Sequence, residues 1–167
     1  VALHVLKNNT ETFKKYSFLE RGSDERQYCH PSVDLPYVSI MRSKYNVYPE
    51  YHTSLDNLDF VSPAGLYGSY EILKKCLMAL EINETYEVAI TCEPKMCKRD
   101  LHPPEWNLRH VGNFPDAKKY VIDLMNTMVY CDGKLDTVDI SNKVKIDVES
   151  CYNFMKILVE NQLIRKI

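Results

Sequence analysis

The run YNVYPEYHTSLDNLDF, residues 45–60, gathers the side chains best suited to chemistry. Tyr51 and His52 stand side by side, followed by Thr53, Ser54, Asp56 and Asp59. A neutral imidazole on a loop is a metal ligand, and oxygens close by orient its ring and set its tautomer. Without a function, the same run is a polar loop with a solvated histidine. Upstream, Asp24, Glu25 and Arg26 follow Gly22-Ser23, and Arg42 closes an apolar stretch. Guanidinium groups bind carboxylates in a planar, two-pronged way, so Arg26 and Arg42 are candidates for holding a substrate carboxylate. Ordinary ion pairs account for them equally well. Glu25, next to Asp24, is a candidate ligand or base.

The elements that must position these residues follow from local signals. VALHVL reads as the end of a helix, and YSFLE, residues 16–20, as a short buried strand. Arg21 to Asp24 turns sharply, with Asp24 able to cap. Val33 to Pro36 bends into a second strand, YVSIMR, residues 37–42. Ser62-Pro63 is a helix start. Leu66, Tyr70, Leu73, Cys76, Leu77 and Leu80 then recur at helical spacing as its inward face. YEVAIT, residues 86–91, is β-type, and residues 92–113 form an irregular connection.

The last third changes character. Phe114-Pro115-Asp116 opens a helix to about Tyr130, with Val121, Leu124, Met125 and Met128 on one face. Cys131 to Lys134 reads as a tight turn with a short extended piece from Leu135, and Thr137 to Lys143 as a short helix. Asp147 caps a third helix, with Cys151, Phe154, Met155, Leu158 and Val159 inward, and LIRKI ends in a strand. Three helices and a short strand are the pattern of a winged helix. The expected fold is therefore α/β, a sheet-and-helix domain over residues 1–113 followed by a small α+β winged-helix domain over residues 114–167.

Composition narrows the function. With 45% hydrophobic and 26% charged residues, the chain of 167 residues is globular and not disordered. A net charge of -2 gives no general attraction to nucleic acid or anionic membranes. No run of about 18 apolar residues marks a transmembrane helix. VALHVL is too short for a secretion signal. Six scattered cysteines without a CxxC pair suit reduced thiols, so a cytoplasmic location is expected. Cys92 and Cys97 are close enough to pair, yet no second pair gives them zinc spacing.

The ordered words ERGSDERQYCHPSVDLP, MRSKYNVYPEYHTSLDNLDFV and CEPKMCKRDLHP carry a resemblance. They are similar to the zinc aminopeptidase-like proteins, the co-catalytic di-zinc exopeptidases, and within them to a largely uncharacterised bacterial subfamily that ends in a winged-helix module. The resemblance implies that His52 matches the last zinc ligand in chain order. It implies that Tyr51 matches the tyrosine beside the oxyanion, and that Asp24 belongs to a Ser-Asp turn supporting the site. It further implies zinc as cofactor and a peptide or small amide as substrate. The family's other ligands and its general-base glutamate have no match here. The chain is thus expected to be the carboxyl-terminal part of a longer hydrolase, inactive alone and a weak zinc binder at most.

From Asp116 onward, eight Lys and Arg face eight Asp and Glu. Winged helices that read DNA carry a basic face. Nucleic acid is therefore not the expected partner; a protein partner or a second copy of the chain is. The alternatives to a hydrolase are a non-catalytic binding scaffold of peptidase fold and, behind it, a winged-helix DNA-binding regulator.

Overall fold

A computed structural model describes residues 1–101 and 115–167. The expected helix start at Phe114 and most of the expected connection, 102–113, lie outside them. The chain forms two compact units, Val1–Met78 and Ala79–Ile167.

The first unit holds helix α1 (Ala2–Asn9), a 3-10 turn (Phe18–Glu20), helix α2 (Glu25–Tyr28) and most of helix α3 (Pro63–Glu81). Side chains of Asn8, Asn9 and Thr10 donate to the carbonyls of His4, Val5 and Leu6, which closes the last turn of α1. Lys75 of α3 donates to the Asn9 side chain. At the start of α3 the Ser62 hydroxyl accepts the Gly65 N–H at 3.1 Å, as the Ser-Pro start required.

Three expectations for this unit need correction. YSFLE is not a buried strand: Ser17 and Glu20 close a capping box around a 3-10 turn, and Leu19 is 86% exposed. Tyr37 to Arg42 has strand composition but no strand beside it among the described residues, and strands form by pairing. The stripe on α3 recurs as expected, yet Leu66, Tyr70, Leu73, Leu77 and Leu80 are exposed, while Cys76 and Ala79 are buried.

The second unit contains the whole sheet. Strand β1 (Thr85–Val88) is central, flanked antiparallel by β2 (Asp132–Asp136) and β3 (Ile164–Lys166). Tyr86 pairs with Lys166 and Val88 with Ile164 on one side; Thr85 pairs with Asp136 on the other. Helices α4 (Pro115–Val129), α5 (Thr137–Val144) and α6 (Val148–Glu160) bury Leu124, Ile140, Met155 and Leu158 completely. These form one core with Tyr86 and Ile164 of the sheet and with Leu163 just before β3. The α4 face is as expected, and Asp147 caps α6 by accepting the Ser150 N–H at 2.9 Å.

The expected change of domain at residue 113 does not coincide with the division at Met78. The physical reason is the residues just before β1. The Asn83 side chain donates to Asp136 at 2.9 Å and accepts the Val138 N–H at 3.0 Å. Thr137 and Glu84 exchange hydrogen bonds between side chain and backbone. With Asp136 accepting the Asp139 N–H, residues from two segments, Asn83-Glu84 and Asp136, satisfy the first turn of α5. Two smaller corrections follow. Residues from Asp132 onward are strand and not only turn, because β1 offers them a partner; Asp132 still organises a bend by accepting the N–H groups of Lys134 and Leu135. Val159, expected inward, is 40% exposed.

Candidate active-site loop

The loop between Tyr45 and Phe60 is built from short turns and stacked rings. Thr53 donates to the Glu50 carbonyl and accepts the Leu55 N–H, and Asn57 accepts the Asp59 N–H. These local bonds let the chain turn without secondary structure. His52 has φ 59, in the left-handed region that residues with a Cβ avoid. Side chains of successive residues in extended chain point to opposite sides. The left-handed turn brings the His52 ring onto Tyr51 instead, with centroids 4.1 Å apart and planes 15° from parallel. Tyr51 also meets Tyr45 at 6.4 Å and Tyr48 edge-on at 5.8 Å, and Tyr48 stacks on Phe60 at 5.5 Å. The structure thus joins the two residues singled out by sequence and surrounds them with three further rings.

The other expected residues divide. Asp24 begins α2 through its backbone carbonyl, which accepts the N–H groups of Gln27 and Tyr28; its side chain makes no cap. Arg26 donates from Nε to the Ser23 carbonyl at 3.2 Å, which is a local turn bond. Arg42 runs beside the first turns of α3, where Gly65 and Gly68 leave room for its guanidinium. Asp56 lies near enough to Tyr48 to help burial hold that phenol above its usual range.

Glu25 is the surprise. Its Oε1 accepts the N–H groups of Gly22 and Ser23 at 2.7 and 3.0 Å and the Tyr45 hydroxyl at 2.7 Å; its Oε2 accepts the Ser39 hydroxyl at 3.2 Å. Four donors match the roughly four lone-pair sites of a carboxylate. The Tyr45 hydrogen bond above all, aided by the backbone donors, lowers its pKa to about 2. A group so acidic is a poor general base. Tyr45, Ser39 and Gly22 were not singled out by sequence. The available signal was a glutamate three residues after Gly22, the spacing at which a helix-start carboxylate reaches back to the backbone.

The donor set for a metal is incomplete. Among the described residues no group of three or more His, Cys, Asp or Glu side chains comes together. A zinc site needs about three protein ligands, and the described residues do not bring that many together. All six cysteines are free thiols, and burial pushes Cys131 and Cys151 up to about 12, which makes them inert core groups.

Residues 1–83 match the family described as "Domain of unknown function (DUF4910)", and residues 84–166 match the family described as "winged helix-turn-helix". A Clostridium acetobutylicum protein named "Putative polysaccharide biosynthesis protein with aminopeptidase-like domain" is 35% identical over 127 residues, 75% of this chain and 28% of that protein. A crystal structure described as a "putative peptidase", also from Clostridium acetobutylicum, superposes with a TM-score of 0.80 at 26% identity. It covers 99% of this chain, which in turn spans 35% of the solved chain. The chain therefore spans about a third of the length of the relatives it matches. It consists of a segment that matches the domain of unknown function followed by a winged helix-turn-helix domain, and it is similar to proteins named for an aminopeptidase-like domain and a putative peptidase.

Proposed function

We propose that this chain supplies one wall of the active site of a zinc-dependent aminopeptidase-like hydrolase acting on peptide or small amide bonds. The observation that carries this reading is the stacked Tyr51–His52 pair on a left-handed turn. A strained backbone of this kind costs about 1–3 kcal/mol and persists where the surroundings impose it, often at functional sites. His52 would give one ligand to a metal whose remaining ligands belong to other parts of a longer protein. Tyr51, beside it, would donate a hydrogen bond to the substrate oxygen as that oxygen gains charge. The exposed α3 stripe supports the longer protein: Val1–Met78 buries only His4, Val5 and Cys76 among its described residues, too little for an independent core. The free thiols suit a reducing, cytoplasmic compartment.

For the winged helix-turn-helix, charge pairing favours protein association over DNA. Arg165 pairs with Glu87 and Lys166 with Glu84 across the sheet, both at 2.5 Å, and Lys119 pairs with Asp123. Cations neutralised in this way present little field to phosphate.

The test uses the longer parent protein. His52→Ala should lower zinc content and turnover together. Tyr51→Phe should keep the zinc while turnover on an aminoacyl-anilide panel falls by on the order of 10²-fold. A parent that hydrolyses no amide across a broad panel would favour the non-catalytic scaffold.

A further inference from the structure

We propose that Glu25 and Tyr45 form a clasp that positions the Tyr51–His52 pair, so that Glu25 acts through its hydrogen bonds and not as a metal ligand or base. The carboxylate is where three stretches of chain meet. Gly22 and Ser23 donate from the backbone, Ser39 from its hydroxyl, and Tyr45 from its phenol. Tyr45 is held at its hydroxyl and along one edge of its ring. Its hydroxyl is held at 2.7 Å by Glu25, and its ring edge lies so close over Gly22 that a Cβ there would be 2.5 Å from Cε2. The Lys44 ammonium sits 4.3 Å from the centre of the same ring. Tyr45 then meets Tyr51, and Tyr51 carries His52. Hydrogen bonds to a charged acceptor are about twice as strong as neutral ones, which suits this carboxylate to organising a loop that has no secondary structure. Oε1, which already accepts three hydrogen bonds, is fully occupied as an acceptor, and Oε2 is turned to Ser39.

The clasp rests on the proposed hydrolase only for the use made of the pair; the geometry is tested without activity. In the longer parent protein, stripped of metal and labelled at its histidine rings, the His52 imidazole C–H signals are followed by proton–carbon correlation NMR and assigned by their loss in His52→Gln. Stacking on Tyr51 should move them upfield of an unstructured histidine, and Tyr51→Leu should abolish that shift. Tyr45→Phe, which removes one hydroxyl and keeps the ring, should take away at least half of it. Glu25→Gln should do the same while signals of the winged helix-turn-helix stay in place. If Glu25→Gln unfolds the first unit, Tyr45→Phe alone decides. An unchanged His52 shift in Tyr45→Phe overturns the clasp, and so does a wild-type signal at the unstructured position. Loss of the hydrolase reading, by contrast, would appear only as missing turnover or zinc in the parent.

Discussion

Gly22→Ala is the most direct probe of how tightly the loop is held. The added methyl carbon would stand 2.5 Å from Tyr45 Cε2, 3.0 Å from Cζ and 3.1 Å from Cδ2. Carbon atoms sit comfortably at about 3.5–4 Å, so the ring must retreat by about 1 Å. It cannot retreat freely, because its hydroxyl is bonded to Glu25. Because Gly22 is exposed and the atoms it meets are the end of a side chain, the clash costs about 1 kcal/mol, the low end for overpacking, and each 1.4 kcal/mol is about tenfold in an equilibrium. The open population of the loop should therefore rise roughly 5-fold. Limited proteolysis between residues 45 and 61 reads that population when reclosing outpaces cleavage. The steric origin is checked by repeating the substitution in a Tyr45→Ala background, where no ring meets the methyl group and Gly22→Ala should change the rate little. An equal acceleration in both backgrounds would refute the reasoning, since the cost would then not arise from the ring.

Glu25 also fixes a pH dependence. Its pKa is depressed from 4.5 to about 2 in the folded chain, so its contribution is fully present above pH 4.5 and is lost as pH falls toward 2; the stacking part of the His52 ring shift, read as the difference from Tyr51→Leu at the same pH, should fade over that window. Asp136→Ala removes the α5 cap to Asp139 and the acceptor for Asn83. It should cost about 1–2 kcal/mol, seen by circular dichroism as a fall of roughly 5–12 °C in the melting of the second unit. A mobility-shift titration with duplex DNA should show no binding at submicromolar protein in about 150 mM salt, because only a surface with real phosphate contacts survives that screening.

Much of the second unit was legible in the sequence. Its helices are marked by caps and spacing that act within one turn: Asp147 with Ser150, and Val121, Leu124 and Met128 along one face. Ser62-Pro63 marked the start of α3 for the same reason. The adjacency of Tyr51 and His52 was equally plain. Other features depend on partners far along the chain. The place of Thr85–Val88 at the centre of the sheet requires Asp132–Asp136 and Ile164–Lys166 on either side, and strand composition does not say which strands meet. Tyr37 to Arg42 has the same composition and finds no partner among the described residues. The period of α3 foretold a stripe but not its exposure, since period gives direction around a helix and burial needs a second surface. Glu25 read as a free acid beside Asp24, and only folding brings Tyr45 and Ser39 onto its oxygens. Sequence alone determined the helix caps, the helical faces and the pairing of tyrosine with histidine, because those rest on contacts a few residues long. The tertiary structure decided which strand is central, which acid is already occupied and which way His52 faces, because each of these is set by groups that the chain's fold alone brings within hydrogen-bond or ring-stacking distance.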